Sequence, residues 1–340
     1  MSDFALGPST PTRRDCLRMS MGLGAALVLP GASAKTPALP WRERVMVGLG
    51  TTLSLRAGHT DGGRADAALD AAVAAIRHVE RQMSLFIPDS ALCRLNRDGV
   101  LHQPHPDLVQ VLTLARQVSQ KSQGAFDVTV QPLWDVWQKA KQAGHLPSAQ
   151  EVQSAVARVG WQHLQVTPQR IRFAQPQMAA TLNGIAQGFA SDLARAALAS
   201  FGIGHALIDT GEWSALGSSP QQSAWTLGIA NPRHPSALIA KLAMAGGAVA
   251  TSSDVHYRFG ADDKHHHIFN PQTGYSPGQL ASVTVMADSC ALADALTKVM
   301  FMASPARSLE LAKQWKVDVL VVDKAGKWQA TEGLRARLLA

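Results

Sequence analysis

Hydrophobic positions recur at three- and four-residue intervals over 65–85 (ADAALDAAVAAIRHVERQMSL), the spacing of an amphipathic helix. The same period predicts helices over 105–124, closed by Gly124, and 148–160, capped by Ser148 after Pro147. Between them, 125–130 alternates like a strand and turns helical after Pro132, and FIPDSALCRLN reads as a loop with turn residues at Pro88, Asp89 and Ser90. Residues 45–55 read as one strand kinked at Gly48 and Gly50. Short alternating or β-branched runs dominate the second half: HLQVT, RIRFA, HALIDT, WTLGIANP, LIAKLAMAGGAVATSS, HHHIFN, ASVTVMADSC and VDVLVVDKAG. Helices are expected there over 185–201, 291–302 and 305–315. Helices gathered early and strands late predict an α+β fold, with mixed or antiparallel sheets flanked by helices. No repeat or linker divides it, so 35–340 reads as a single globular unit.

Residues 1–34 follow a different pattern. Arg13 and Arg14 precede a short apolar run that ends in Ala32-Ser33-Ala34, the order of a cleaved twin-arginine-type signal peptide. The run is too short and glycine-rich to span a membrane. Export to the periplasm is expected. Of 340 residues, 46% are hydrophobic and 17% charged, which suits a globular chain. The net charge of +7 is scattered rather than clustered, so nucleic-acid binding is not expected. After the signal, Cys93 and Cys290 remain, and their spacing does not say whether they pair.

Candidate chemistry begins at TLNGIAQGFASD (181–192), where Gly184 and Gly188 flank a turn into a helix. Such a turn can present N–H groups to an anion, or can simply be a corner that needs small residues. Asp127 lies between aromatics, where a buried carboxylate needs partners. Asp254 follows three small hydroxyl residues at a strand end. The run His265–His267 suggests a metal, but alternation in a strand lets at most two rings converge. Asp294 lies in an otherwise apolar helix one turn before Lys298, a spacing that suits an ion pair.

Eight blocks, in order, resemble the FAD:protein FMN transferases, the ApbE family. They are GLGTT, MSLFIPDSALCRLN, GAFDVTVQPLWDVW, TLNGIAQGFASD, WTLGIANP, AVATSSDVHYRF, HHIFNPQTG and ADALTKVMF, and the resemblance spans about 44–323. It implies a T-fold-related unit with an FAD cleft. It also implies Mg²⁺ at the pyrophosphate and transfer of FMN to a Thr or Ser of a partner protein with release of AMP. The acceptor would be a flavoprotein subunit of an exported or membrane-bound electron-transfer system. The implied metal ligands are the Gly184 carbonyl, Asp294 and the Thr297 carbonyl, while Lys298 stands where the family has a threonine ligand. The implied FAD contacts are Leu49, Phe86, Ala125, Phe126, Asp127, Thr181, Gln187, His267 and Ile268. His267 and Asp127 are candidates for handling protons, with Lys298 as a fixed positive charge on phosphate. Thr181, Gln187 and Lys298 depart from the family's usual residues. This keeps open a chain that binds FAD without transferring FMN, or one that hydrolyses FAD to FMN and AMP.

Overall fold

Eight antiparallel strands build the main sheet, and their spatial order is their chain order: Trp41–Gly48, Thr51–Gly58, His205–Asp209, Trp213–Leu216, Gly247–Ser253, Leu280–Ala287, Asp318–Asp323 and Trp328–Ala330. This computed structural model describes residues 39–234, 236–260 and 264–339, so the signal reading for 1–34 lies outside the described residues. Every strand pairing is antiparallel. The order of elements repeats: two strands, two helices, two strands. The first half uses the helices Gly62–Met83 and Ala186–Ser200, the second Cys290–Phe301 and Pro305–Trp315. No repeat is visible in the sequence because the halves share a succession of elements, and long insertions separate the helices of the first half.

The sheet is covered on both faces, so its central strands are apolar on both sides. In Asp318–Asp323, Val319 and Val321 join the helical core with Leu53, Ile76, Phe189 and Leu296. Leu320 and Val322 face the other way, against Trp225, Leu227 and Leu242. Those three belong to a small sheet of Trp225–Ala230, Leu238–Met244 and Leu338–Leu339. A further cluster joins Leu133 and Trp137 of helix Gln131–Gln142 to Val152, Phe259 and Phe269.

Several expected elements differ. Residues 45–55 form a hairpin rather than one strand, because Leu49 and Gly50 both take positive φ (50° and 82°), the signature of a tight two-residue turn. FIPDSALCRLN holds a helix, Ala91–Asp98, whose first turn is capped by the Ser90 hydroxyl accepting from Cys93 N–H at 3.0 Å. Residues 125–130 are not a strand. The Asp127 carboxylate accepts from the Thr129 N–H and hydroxyl, both at 2.7 Å, and this local bonding replaces a ladder. HHHIFN is loop, tied by a single bridge between Arg258 and His266. Cys93 and Cys290 are both free thiols.

Candidate active site

The turn at 181–192 includes the close-packed corner that its glycines suggested. A Cβ on Gly188 would lie 2.4 Å from the Cys290 carbonyl oxygen and 2.8 Å from Ala291 Cα. Gly188 is therefore where the helices Ala186–Ser200 and Cys290–Phe301 cross backbone to backbone. Four residues on, the Asp192 carboxylate accepts from the Cys290 and Ala291 N–H groups (2.8 and 3.0 Å) and from the Ser289 hydroxyl (2.7 Å). An acidic cap at a helix N-terminus is favoured by the dipole. Together these contacts fix where Asp294 stands, one turn inside the second helix. Gly184 is different: the nearest neighbour to a Cβ there would be the Lys298 side chain, at 3.1 Å.

Asp294 is 1% exposed, and both its oxygens are engaged. One accepts from the Lys298 ammonium and the other from the Gly188 N–H at 3.3 Å. Thr297 turns its hydroxyl to the Asp294 carbonyl (2.6 Å) and to Ser252 (2.7 Å), inside the protein. Two more carboxyls gather here that sequence reading did not single out. Glu212 is buried and accepts from the Thr251 N–H at 3.0 Å. Burial first, and then the neighbouring Asp294, push its carboxyl well above the usual range, against the pull of Lys298. Burial also raises Asp209 to about 6. The available signal was the placement of two acids at either end of Asp209-Thr210-Gly211-Glu212, a turn between apolar strands.

These groups form one end of a cleft of about 790 Å³, a volume suited to a nucleotide-sized ligand. Leu49, Phe86, Ala125, Phe126, Asp127, Thr181, Gly184, Gln187, His267, Ile268 and Lys298 all line it, as do Asp209 and Glu212. Asp294 and Thr297 stand immediately behind Lys298 rather than on the wall. At the rim, Phe86 is 54% exposed, an apolar ring available to a planar partner. Leu49, at the hairpin tip, is held by its N–H donating to Glu80 at 2.9 Å. The Asp127 carboxylate also accepts from the Trp161 N–H at 2.8 Å. With both oxygens bonded within the chain, it braces the 125–130 loop. Asp254 is braced too, in a buried cluster with Arg233 (2.7 and 2.9 Å) and Lys324 (2.7 Å).

His267 Nδ1 lies 3.4 Å from the Tyr257 carbonyl, which favours the tautomer with its proton there and Nε2 bare. Burial, then His256, His266 and Lys298 nearby, lower its pKa to about 3. The native value lies below that of an unfolded histidine, so the unfolded chain binds more protons between about 3 and about 6.5. Stability from this group is complete above that window and is lost as pH falls through it. Asp209, raised to about 6, acts in the opposite direction. A variant comparison therefore isolates the histidine: His267→Gln is expected to lose less stability than wild type between pH 7 and pH 4.5, by at most about 1.4 kcal/mol per pH unit. Denaturant midpoints across that range measure it, and parallel curves would contradict it.

A sequence profile of the ApbE family matches residues 49–321. The chain belongs to the ApbE family. Among relatives, the FAD:protein FMN transferase of Klebsiella pneumoniae is 29% identical over 322 residues, covering 90% of this chain and 92% of that one. The FAD:protein FMN transferase of Salmonella typhimurium is 28% identical over 258 residues, 72% and 73% of the two chains. In structure, the flavinyl transferase ApbE of Pseudomonas stutzeri superposes with a TM-score of 0.77 at 26% identity, covering 89% and 98% of the two chains. The ApbE protein of Thermotoga maritima shares the fold, with a TM-score of 0.80 at 22% identity, covering 88% of this chain and all of that one. The matched stretch of this ApbE chain runs from the hairpin tip at Leu49 to Val321, and so includes every wall of the cleft.

Proposed function

We propose that this protein is an FAD:protein FMN transferase that carries out its chemistry in this cleft. The observation that carries the proposal is the union, in one cavity, of an exposed aromatic rim at Phe86 with a charged end at Lys298 and Glu212, backed by the buried Asp294. A flavin stacks at the first and a pyrophosphate lies at the second. In the reaction, a Thr or Ser hydroxyl of the acceptor attacks the phosphorus on the FMN side. A new P–O bond forms, the bond to the bridging oxygen breaks, and AMP leaves with that oxygen. The hydroxyl proton passes to a base, a role that suits the bare Nε2 of His267. The negative charge of a bound pyrophosphate raises the basicity of that imidazole from its low resting value. Lys298 places a fixed positive charge beside the phosphates.

The donor set also fits Mg²⁺. Glu212 and Asp294 crowd two carboxyls around one ammonium, and Mg²⁺ takes carboxylate and carbonyl oxygens. Asp294 with the Gly184 and Thr297 carbonyls would hold it once Lys298 releases the carboxylate. When bound, Mg²⁺ neutralises pyrophosphate charge. Lys298 therefore competes with the ion for Asp294. Lys298→Thr, which frees the carboxylate, is expected to tighten the Mg²⁺ dependence of FMN transfer by about tenfold, read as the Mg²⁺ concentration for half-maximal rate. An unchanged Mg²⁺ dependence would contradict the competition. The signal-like order of residues 12–34 supports export to the periplasm, with the acceptor an exported or membrane-bound electron-transfer protein. No helix of the described residues is long and apolar enough to cross a membrane. Incubation with FAD, Mg²⁺ and Thr- or Ser-bearing acceptor domains, followed by detection of covalent flavin on the acceptor, tests the proposal. Failure to label any of several acceptors would count against it.

A further inference from the structure

The structure assigns a second metal site, for a late first-row dication such as Zn²⁺, to His78, His105 and Asp107. None of the three lines the cleft. His78 lies near the end of helix Gly62–Met83, His105 is the cap of helix Pro106–Lys121, and Asp107 is in that helix's first turn. Among the described residues this is the one group of three or more His, Cys, Asp or Glu donors converging within 4.8 Å. Among the described residues the histidine run at 265–267 forms no such group.

The geometry points to a metal rather than to simple hydrogen bonding. His78 Nε2 is 3.2 Å from His105 Nδ1 and 3.3 Å from Asp107 Oδ2, and His105 Nδ1 is 3.5 Å from the same oxygen. The three donors thus form a nearly equilateral triangle. Ligands about 2.0–2.1 Å from a tetrahedral ion stand about 3.3–3.4 Å apart, so this triangle matches one face of a zinc coordination shell, with the fourth position open to water. A proton on His78 Nε2 is shared between two acceptors, His105 Nδ1 and Asp107 Oδ2, whereas a cation that displaces that proton binds all three atoms.

The Asp107 N–H donates to His105 Nδ1 at 3.2 Å, so this nitrogen acts as an acceptor, and an ion bound there would take over the lone pair from that hydrogen bond. Two imidazoles and one carboxylate select zinc-like ions over Mg²⁺, which demands oxygen. A bound ion would join the long helix to the start of Pro106–Lys121. Met83, which ends the long helix, and Phe86 just beyond it are both cleft residues, so the ion would steady that wall.

The test uses the full chain, stripped with chelator and titrated with Zn²⁺ against a competing chromophoric chelator. Wild type is expected to hold one more tightly bound equivalent than His78→Ala or Asp107→Asn, with affinity at this site reduced at least tenfold in each variant. Co²⁺ is expected to give wild type, and neither variant, the intense visible absorption of a four-coordinate ion. Zn²⁺ is expected to raise the melting temperature of wild type only. Equal stoichiometry and affinity in wild type and a folded variant would overturn the assignment. Asp107→Asn keeps the side-chain volume, so it decides the matter should His78→Ala fail to fold.

Discussion

Asp294→Asn is expected to lower FMN transfer by about 10³-fold while the chain stays folded. The amide keeps the shape of the buried side chain, and its oxygen can still accept from the Gly188 N–H. It removes the negative charge that holds Lys298 in place and that would hold a dication. The loss should appear in the rate of acceptor labelling at saturating FAD, with the thermal midpoint near that of wild type. Loss of activity accompanied by unfolding would assign Asp294 to packing. Retention of wild-type rates would remove it from the site. Asp294→Ala is a poorer probe, because it strips the partner from an ammonium and an N–H together.

Gly188→Ala is expected to destabilise the fold by about 2–3 kcal/mol, the cost of forcing a methyl into a packed core. The three atoms closest to the new Cβ all belong to the backbone of Cys290 and Ala291, which Asp192 clamps from the same helix. Neither side can rotate away, so the helices must part. Gly184→Ala is the matched control. There the nearest atom is the Lys298 Cε, at 3.1 Å on a flexible stem, so stability should fall little while FMN transfer suffers. Denaturant midpoints and labelling rates for the two variants separate the glycine that packs from the glycine that lines the cleft. Equal midpoints for Gly188→Ala and wild type would contradict the close crossing.

Long periodic segments were readable because burial of one helix face imposes its own spacing. The helices Gly62–Met83, Ala186–Ser200 and Cys290–Phe301 fall within a few residues of expectation. The hairpin at Leu49–Gly50 was not, since a non-glycine residue at positive φ leaves no mark in the hydrophobic pattern. The helix Ala91–Asp98 was hidden for a related reason: Pro88, Asp89 and Ser90 suit a turn, and Ser90 suits a cap equally well. At the site, family resemblance marked the residues of the cleft wall, but their partners came only from the structure. The four-residue spacing already set Lys298 over Asp294, and the apolar residues around them pointed to burial; the crossing at Gly188 supplies the helix that buries Asp294. Glu212 and Asp209 escaped notice because burial perturbs both, and Glu212 is raised further by Asp294, which is distant in sequence.

One cleft holds FAD and hands its FMN half to a protein hydroxyl. The most direct measurement follows AMP and acceptor-bound FMN together, with FAD and Mg²⁺ supplied and the acceptor present or withheld. The expected result is one AMP for each FMN joined to the acceptor, and little AMP without it. Equal release of AMP and free FMN in both arms, or tight FAD binding with no AMP in either, would contradict the claim.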